Sequence, residues 1–393
     1  MRKWTVLFYA NGNNDLEPEN WKSVLGLQRA GRADNVNILI QIGRADSELV
    51  KILRPQFYKC PEEEWSGVRR YSYTDTNLVL LDDLGFINMA DSHTLYEFIG
   101  WGMESYPAEH YMLILGGHAY QLVGLMPDYC QDKPYIMGFP EMCLALEKIG
   151  KKVDLLILDT CYCNCVEVLY ELGKSDSHPV NNVLTYVGKG PISGLQYSSI
   201  IDLIRNYTAA NEIDGFIRRL IDASGCDLVA IKPRKDAVEE VKKLCDNIAR
   251  AYLSNTDSIN LTPSQIITCA DPSCPWFELL KKLRTTLQSM LLYGRKRPEN
   301  SSAYINIQLP DLQNQVQLER YCRLSFARNN AWTNLLSRKP LASGTFPGAN
   351  IGMGSMLLPY EAVYSYIEMM NSSLSKEKHL SILNNLKVYK NWA

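Results

Sequence analysis

Two short apolar runs, each ending in a side chain capable of acid–base or covalent chemistry, constrain the fold of this sequence most strongly. One run starts at Tyr111 and ends, after two glycines, at His118; the other starts at Val153 and ends at Cys161. Apolar runs of this length between turn residues are typical of strands buried on both faces of a parallel sheet. In open α/β sheets, substrates bind beyond the carboxyl ends of such strands. If the two strands are neighbours, they present His118 and Cys161 at one edge as a candidate Cys–His nucleophilic pair.

Predicted strands and helices alternate from the start of the chain to residue 231. The predicted strands are residues 4–10, 36–42, 68–73, 111–118, 153–161, 182–187 and 226–231. The predicted helices are residues 17–30, 94–103, 140–149 and 166–172. This alternation indicates βαβ units and a mostly parallel sheet. We expect residues 226–231 to form the last strand of that sheet and residues 119–139, rich in Gly, Pro, Asp and Tyr, to form a loop.

The pattern changes after Pro233. Residues 236–253 and 276–292 have the apolar spacing of amphipathic helices, and residues 303–309 alternate like a half-exposed strand. We therefore expect an α/β core over residues 1–232 and a mainly helical C-terminal extension, packed on the core, over residues 233–393.

Composition excludes several classes of partner. The chain is 46% hydrophobic and 21% charged with a formal net charge of −2, so it lacks the basic excess of a nucleic-acid-binding protein. No apolar stretch approaches the roughly 20 residues that span a bilayer. The N-terminal residues read as a first strand rather than as a secretion signal.

The eleven cysteines are odd in number and scattered without a disulfide framework. This distribution favours a reduced, cytoplasmic protein. The cluster of Cys161, Cys163 and Cys165 has no partner cluster at a usual ligand spacing, and Cys269 with Cys274 fits no common zinc pattern, so we predict no metal site.

Five segments in order carry a family resemblance. They are Lys3–Ala10 followed by Asn14–Glu17; Asn88–Phe98 with Tyr106-Pro107 and Tyr111–Leu115; Leu158–Cys161 with Glu167 and Tyr170–Leu172; Tyr186-Val187 with Pro191–Gly194; and Tyr321, Leu324–Ala327 and Trp332. Together they resemble the clostripain-like cysteine peptidases, relatives of caspases, gingipains and legumains, from residue 3 to about 336. The resemblance implies a caspase-like three-layer sandwich with a mostly parallel central sheet, followed by a largely helical C-terminal region.

The resemblance also implies roles for particular residues. Cys161 is the nucleophile and His118 the general base and acid of a dyad, acting through a thioester acyl-enzyme. The aspartate two residues before Cys161 distinguishes it from Cys163 and Cys165. The backbone N–H groups of Cys161 and Ala119 are the expected oxyanion donors. The alternatives are that Cys161 is a buried structural thiol and that His118 is a structural histidine. His93, His110, His178 and His379 are predicted to lie at the surface.

Substrate preference depends on two charged residues. Asp159 matches the family position at the floor of the S1 pocket, where a carboxylate selects Arg or Lys; alternatively, it caps the following helix. Gly188 and Lys189 replace the acidic or polar group expected after the Tyr-Val strand. Lys189 could neutralise Asp159 and turn the preference toward acidic P1 residues.

The resemblance leaves regulation open. Relatives that mature by self-cleavage are cut between the histidine and the cysteine, where Lys133 lies in the most loop-like context, ahead of Lys148, Lys151 and Lys152. Calcium dependence is implied by the family, although the sequence contains no calcium-loop pattern, and no other cofactor is expected. The predicted partner is a protein or peptide substrate. The alternatives are a protease switched on inside the cell by an activating partner, and a catalytically weak protease fold that serves in protein interactions.

Overall fold

The computed structural model describes residues 1–30, 35–56, 65–74, 77–205, 213–255, 261–295 and 304–392. The strands are β1 (Arg2–Gly12), β2 (Val36–Arg44), β3 (Gly67–Thr74), β4 (Asn77–Gly85), β5 (Ala108–Gly116), β6 (Ala119–Tyr120), β7 (Gly124–Asp128), β8 (Tyr135–Met137), β9 (Val153–Asp159), β10 (Val180–Tyr186), β11 (Leu228–Ile231), β12 (Leu291–Gly294) and β13 (Met356–Leu357).

The α-helices are α1 (Glu17–Gly26), α2 (Ser47–Leu53), α3 (Ser92–Ser105), α4 (Phe139–Lys148), α5 (Val166–Gly173), α6 (Tyr197–Arg205), α7 (Ile213–Ser224), α8 (Lys235–Leu253), α9 (Pro263–Ile267), α10 (Phe277–Met290), α11 (Gln315–Tyr321), α12 (Ala331–Leu336), α13 (Tyr360–Met370) and α14 (Lys376–Lys390). Short 3-10 helices cover Leu27–Arg29 and Leu341–Ser343.

Nine strands form the main sheet in the order β12-β11-β10-β9-β5-β1-β2-β3-β4. The five central strands, from β10 to β2, run parallel, and the two outer strands on each side run antiparallel. The predicted mostly parallel sheet is therefore confirmed. The prediction that residues 226–231 form its last strand is wrong, because β12 pairs with β11 from beyond Pro233. A four-residue edge strand is too short to stand out in the sequence.

Helices cover both faces of the sheet. Successive side chains of a strand point to opposite faces, so Leu7 and Tyr9 of β1 pack with α3, α4, α5 and α8, whereas Val6 and Phe8 pack with α1, α6 and α7. Both apolar layers are closed to solvent, with Leu7 and Phe8 fully buried. The result is the expected helix–sheet–helix sandwich. The domain boundary at residue 232 stays a prediction. Two elements beyond it belong to the core sandwich: β12 pairs with the main sheet, and α8 lies in one of its helical layers.

Residues 119–139 were predicted to form a loop, and that prediction is wrong. They contain β6, β7 and β8, which form a second sheet in the order β13-β8-β7-β6. These strands have two to five residues, and β8 pairs with β13 more than 200 residues later, so no local periodicity marks them. The strand predicted at residues 303–309 is also absent from its described part, residues 304–309, where Asn306 makes only an isolated bridge to Cys165.

A helical hairpin of α13 and α14 closes one side of the molecule. Val363 and Ile367 of α13 and Leu386 of α14 share a buried cluster with Leu49 of α2 and Ile136 of β8. His379, predicted at the surface, is buried in this hairpin, and its Nε2 lies 2.8 Å from the carbonyl oxygen of Asn371. Within the described residues, no helix is long and apolar enough to cross a membrane.

Candidate active site

A cavity of about 110 Å³ lies at the carboxyl-terminal edge of the main sheet, and both His118 and Cys161 line it. The sheet register explains why they meet. Gly116 of β5 pairs with Asp159 of β9, so each reactive residue follows a paired strand end by two positions. The two apolar runs in the sequence therefore end side by side, as their neighbouring positions in a parallel sheet require.

The cavity gathers some of the residues singled out in the sequence and leaves others outside. Its walls include His118, Cys161, Asp159 and Lys189. Gly188, Ala119 and Lys133 are not part of its lining. Gly188 is nevertheless tied to the turn that carries Cys161, because its carbonyl oxygen accepts a 2.6 Å hydrogen bond from the N–H of Tyr162.

Cys161 is the accessible thiol of its cluster. Cys163 and Cys165 are 0% and 1% exposed, whereas Cys161 is half-buried and faces the cavity. Cys163 also contacts the Thr160 hydroxyl at 3.0 Å, and burial raises its pKa to about 12. An enclosed thiol that stays protonated cannot attack a substrate. Of the three thiols, only Cys161 is open to the cavity.

The environment of Cys161 favours the thiol over the thiolate. Burial raises the pKa of Cys161, and two opposing influences reduce that rise: a hydrogen bond from the backbone N–H of Gly190, 3.4 Å from Sγ, and the positive charge of Lys189. The net pKa lies above the ordinary value for a cysteine. Attack on a substrate therefore requires a base that removes the thiol proton.

His118 is held by two side chains from distant parts of the chain. Its Nε2 lies 3.1 Å from Oδ1 of Asp15 and 2.6 Å from the hydroxyl of Tyr366. That hydroxyl also donates a hydrogen bond of 2.9 Å to Oδ2 of Asp15. Asp15 follows β1, and Tyr366 lies on α13. Within the described residues, His118 makes no hydrogen bond to Cys161, and Nδ1 is left without a partner.

Asp159 forms a fixed carboxylate in the cavity wall. It accepts hydrogen bonds from the Tyr186 hydroxyl at 2.6 Å and from the N–H of Leu195 at 3.1 Å. Burial raises the pKa of Asp159, and these hydrogen bonds, with another from Tyr197, offset part of the rise. Gly194 allows this approach, because it has a φ of +62° and a Cβ there would lie 2.8 Å from the carboxylate. Asp159 does not cap α5, whose N-cap, Cys165, makes no side-chain cap.

Lys189 is exposed at the cavity, and no ion pair joins it to Asp159 in the described structure. The carboxylate is instead satisfied by neutral donors. The alternative in which Lys189 neutralises Asp159 thus has no direct contact to support it. The positive charge of Lys189 acts instead on Cys161, where it offsets part of the rise in pKa that burial causes.

The backbone beside His118 and Cys161 offers two N–H groups that the sheet does not use. Met126 N–H donates to the carbonyl of His118 at 2.8 Å, which makes Ala119 and Leu125 a non-hydrogen-bonded pair of β6 and β7. The N–H of Ala119 is therefore directed away from β7, at the edge of the second sheet. Among the described residues, the N–H of Cys161 has no acceptor.

Several residues at the site were not identified from the sequence. They are Asp15, Tyr197, Met369, Met370 and Tyr366. Asp15 lies in a turn cluster and in the segment Asn14–Glu17 that carried the resemblance, so a signal existed. Tyr366 lies in an ordinary amphipathic helix and had none. Among the described residues, no group of three or more His, Cys, Asp or Glu side chains is arranged to hold a metal ion.

The fold and this cavity define a class: cysteine-type peptidases with a caspase-like α/β sandwich. The sequence matches the pattern of the clostripain family over residues 27–338. The chain therefore belongs to the clostripain family of cysteine peptidases. No curated protein sequence matches it.

Solved structures agree on the fold. A secreted C11 cysteine protease from Bacteroides thetaiotaomicron, in complex with an irreversible peptide inhibitor, is similar with a TM-score of 0.53 and 14% identity, over 75% of this chain and 85% of that chain. An inactive zymogen C11 protease from Parabacteroides distasonis is similar with a TM-score of 0.56 and 16% identity, over 83% and 97% respectively. At such identities the likeness concerns the fold alone.

Proposed function

We propose that this protein is an endopeptidase in which Cys161 is the nucleophile and His118 the general base and acid. One observation carries the proposal: the two side chains line one cavity at the carboxyl ends of adjacent parallel strands, with Cys161 the accessible thiol of its cluster. Both are in reach of a peptide bound at this edge of the sheet.

The reaction follows from the chemistry of the two groups. Sγ of Cys161 attacks the peptide carbonyl carbon while its proton passes to the imidazole of His118. The C–N bond then breaks, and the imidazolium returns the proton to the leaving amine, which leaves a thioester. Water, deprotonated by His118, attacks the thioester, releases the carboxyl product and restores the thiol.

The tetrahedral intermediates need donors for their oxyanion. The N–H groups of Cys161 and Ala119 fit this role, because neither is used by the neighbouring backbone ladder. Preorganised donors of this kind typically contribute about 3–4 kcal/mol each to the stability of the transition state.

Asp159 supports cleavage after Arg or Lys. Its carboxylate is held by Tyr186 and Leu195 and lines the cavity, where a guanidinium or ammonium would form a charge-assisted pair. Lys189 would then border the same subsite from the segment beyond β10, and Gly188, which does not line the cavity, would contribute through its hydrogen bond from Tyr162. A preference for acidic P1 residues, selected by Lys189, is the alternative.

A fluorogenic peptide library that varies P1 over Arg, Lys, Asp, Glu and Leu tests both points. We expect activity on Arg and Lys peptides that is lost in Cys161→Ala and in His118→Ala but retained in Cys322→Ala, a partly exposed thiol outside the cavity. Activity confined to acidic P1 would favour Lys189 as the selector. Labelling of Cys161 by an acyloxymethylketone is expected to need His118. Absence of both activity and labelling would support the interaction-protein alternative.

Self-processing at Lys133 is a further part of the proposal. Lys133 is exposed, but its loop is anchored: the carbonyls of Cys130 and Gln131 accept hydrogen bonds from Lys390 and Trp392 at 2.7 and 3.1 Å. Cleavage there requires release of these contacts or attack by a second molecule. Intact masses of wild type, Cys161→Ala and Lys133→Ala decide it, since a single chain of full mass for all three contradicts self-cleavage.

The same activity assays test how the protein is regulated. The proposed steps use side chains and backbone groups alone, and assays with added and with chelated calcium test the calcium dependence that the family implies. Full activity of the purified protein would argue against an obligatory activating partner. The cytoplasmic location expected from the cysteines gains no support from the comparisons, in which the Bacteroides thetaiotaomicron protease is described as secreted.

A further inference from the structure

Asp15, His118 and Tyr366 form a closed triangle of contacts behind the imidazole. Nε2 lies 3.1 Å from Asp15 Oδ1 and 2.6 Å from the Tyr366 hydroxyl, and that hydroxyl lies 2.9 Å from Asp15 Oδ2. The Asp15 side chain is 1% exposed and Tyr366 is 5% exposed, so water cannot replace either partner. Both contacts to the ring fall on one nitrogen, Nε2.

The triangle determines where the imidazole proton resides. Burial alone would raise the pKa of Asp15, but attraction to His118, with hydrogen bonds from His118 and Tyr366 and the charge of Arg54, brings it below the ordinary value. An ionised carboxylate only accepts hydrogen bonds. Nε2 must therefore carry a proton to meet Oδ1 favourably, and the Tyr366 hydroxyl gives its own proton to Oδ2. This assignment follows from the network of partners.

We propose that Asp15 and Tyr366 are positioning residues for His118, which hold the imidazole proton on Nε2 and leave Nδ1 as the nitrogen that receives the proton of Cys161. The inference rests on the proposed function, in which His118 is the base. It extends the predicted dyad by two residues, neither of which contacts the peptide bond that is cleaved. A neutral imidazole can act as a base only through its unprotonated nitrogen, so the choice of tautomer decides whether the dyad works.

Packing holds the triangle in place. The rings of His118 and Tyr366 lie 4.5 Å apart between centroids, and Tyr120 meets Tyr366 edge-on at 5.2 Å. Arg54 donates to the backbone carbonyl of Asp15 at 3.1 Å and so steadies the turn after β1. The imidazole therefore has little freedom to rotate toward another partner.

The position of Tyr366 gives the C-terminal hairpin a role in catalysis. The match to the family ends at residue 338, and Tyr366 lies beyond it, on α13. The hairpin is docked by polar contacts, among them Asn371 Nδ2 to the carbonyl of Leu53 at 3.0 Å and Trp392 Nε1 to that of Gln131 at 3.1 Å. Correct orientation of His118 thus depends on a segment outside the shared family region.

Steady-state kinetics of the full chain provide the first test. Loss of one hydrogen bond in Tyr366→Phe is expected to lower kcat about 3- to 10-fold. Asp15→Asn, which replaces an acceptor by a donor and allows the other tautomer, is expected to lower kcat by about 10²- to 10⁴-fold. KM should change little in either variant, because neither group binds substrate. The matched control is Tyr364→Phe on the same helix, since among the described residues the hydrogen bonds to His118 and Asp15 come from Tyr366 and not from Tyr364.

A spectroscopic test separates this inference from the proposed function. Histidine-selective ¹⁵N NMR on Cys161→Ala at mildly alkaline pH should show His118 protonated on Nε2, and the added Asp15→Asn change should move population to the Nδ1-protonated form. An unchanged tautomer with unchanged kcat overturns the inference. Higher activity in Tyr366→Phe also overturns it, since Tyr366 would then restrain His118. A wild type without Cys161-dependent activity instead defeats the proposed function, while the tautomer result still stands on its own.

Discussion

The backbone N–H of Gly190 donates a hydrogen bond to Sγ of Cys161 over 3.4 Å. Gly190 can lie there because it has no Cβ: such an atom would be 2.4 Å from Cε2 of Tyr186. Tyr186 in turn donates to Asp159 at 2.6 Å. The thiol and the carboxylate two residues before it are thus linked through the segment that follows β10.

Gly190→Ala should disrupt this link. Because Tyr186 is buried and anchored, the added methyl must displace the backbone away from Cys161, and misplacement on the scale of 1 Å typically costs about 10²-fold in rate. We expect a comparable loss of kcat/KM on the best library substrate. Gly215→Ala on α7, where a Cβ meets nothing within 4 Å, is the control and should keep full activity. Wild-type rates in Gly190→Ala would show that the segment bends freely.

Lys189→Met should make the nucleophile less reactive at neutral pH. The pKa of Cys161 is raised by burial and lowered by the Gly190 hydrogen bond and by Lys189. Removing the positive charge removes a stabiliser of the thiolate, so the pKa rises further and alkylation by iodoacetamide at a given pH slows. The pH dependence of alkylation at Cys161, followed by mass spectrometry, checks this. Lys243→Met, an exposed change on α8, should leave the curve in place; a shift toward lower pH in Lys189→Met contradicts the assignment.

Asp159→Asn tests the proposed S1 carboxylate. An asparagine can still accept the hydrogen bond from Tyr186, so the fold should persist, but the charge that attracts a basic P1 side chain is gone. Hydrogen bonds to charged groups typically contribute 1.5–3 kcal/mol, so kcat/KM on Arg and Lys peptides should fall by about 10- to 100-fold. Asp154→Asn, at the opposite end of β9, is the matched control. Undiminished cleavage after Arg in Asp159→Asn would assign the selectivity elsewhere.

Glu167→Gln should change how stability depends on pH. Glu167 is fully buried, accepts hydrogen bonds from Gln308 N–H at 3.1 Å and Tyr321 at 3.4 Å, and has its pKa raised by burial to about 8. An unfolded glutamate titrates near pH 4.3. Between these values the folded chain binds one more proton, so stability falls as pH rises, by about 1.4 kcal/mol per pH unit.

Urea unfolding of wild type and Glu167→Gln from pH 5 to 8 measures this slope. The free energy of unfolding of the wild type, relative to that of Glu167→Gln, should fall steadily with rising pH, because glutamine cannot ionise. Glu278→Gln on the exposed face of α10 should follow the wild type. If this free-energy difference grows with pH instead, the ionised carboxylate is the favoured buried form.

Much of the fold was open to prediction because its signals are local. The buried apolar runs around Leu113 and Leu156 predict central strands. Asp91 predicts the start of α3, where its side chain accepts a hydrogen bond from the N–H of His93 at 2.8 Å. Predictions failed where strands were short or paired across the chain, as in β6, β7, β8 and β12. Their stability comes from partners rather than from their own residues.

The amino-acid sequence alone determined the two strands that end near His118 and Cys161, since apolar side chains at those positions must be buried and the strand ends then meet at one edge. The tertiary structure alone decided what holds the imidazole. Tyr366 reaches His118 across 248 residues, and Asp15 does so across 103. Such contacts depend on how a helical hairpin docks against a turn, and a hydrogen bond between distant side chains leaves no periodic trace along the chain.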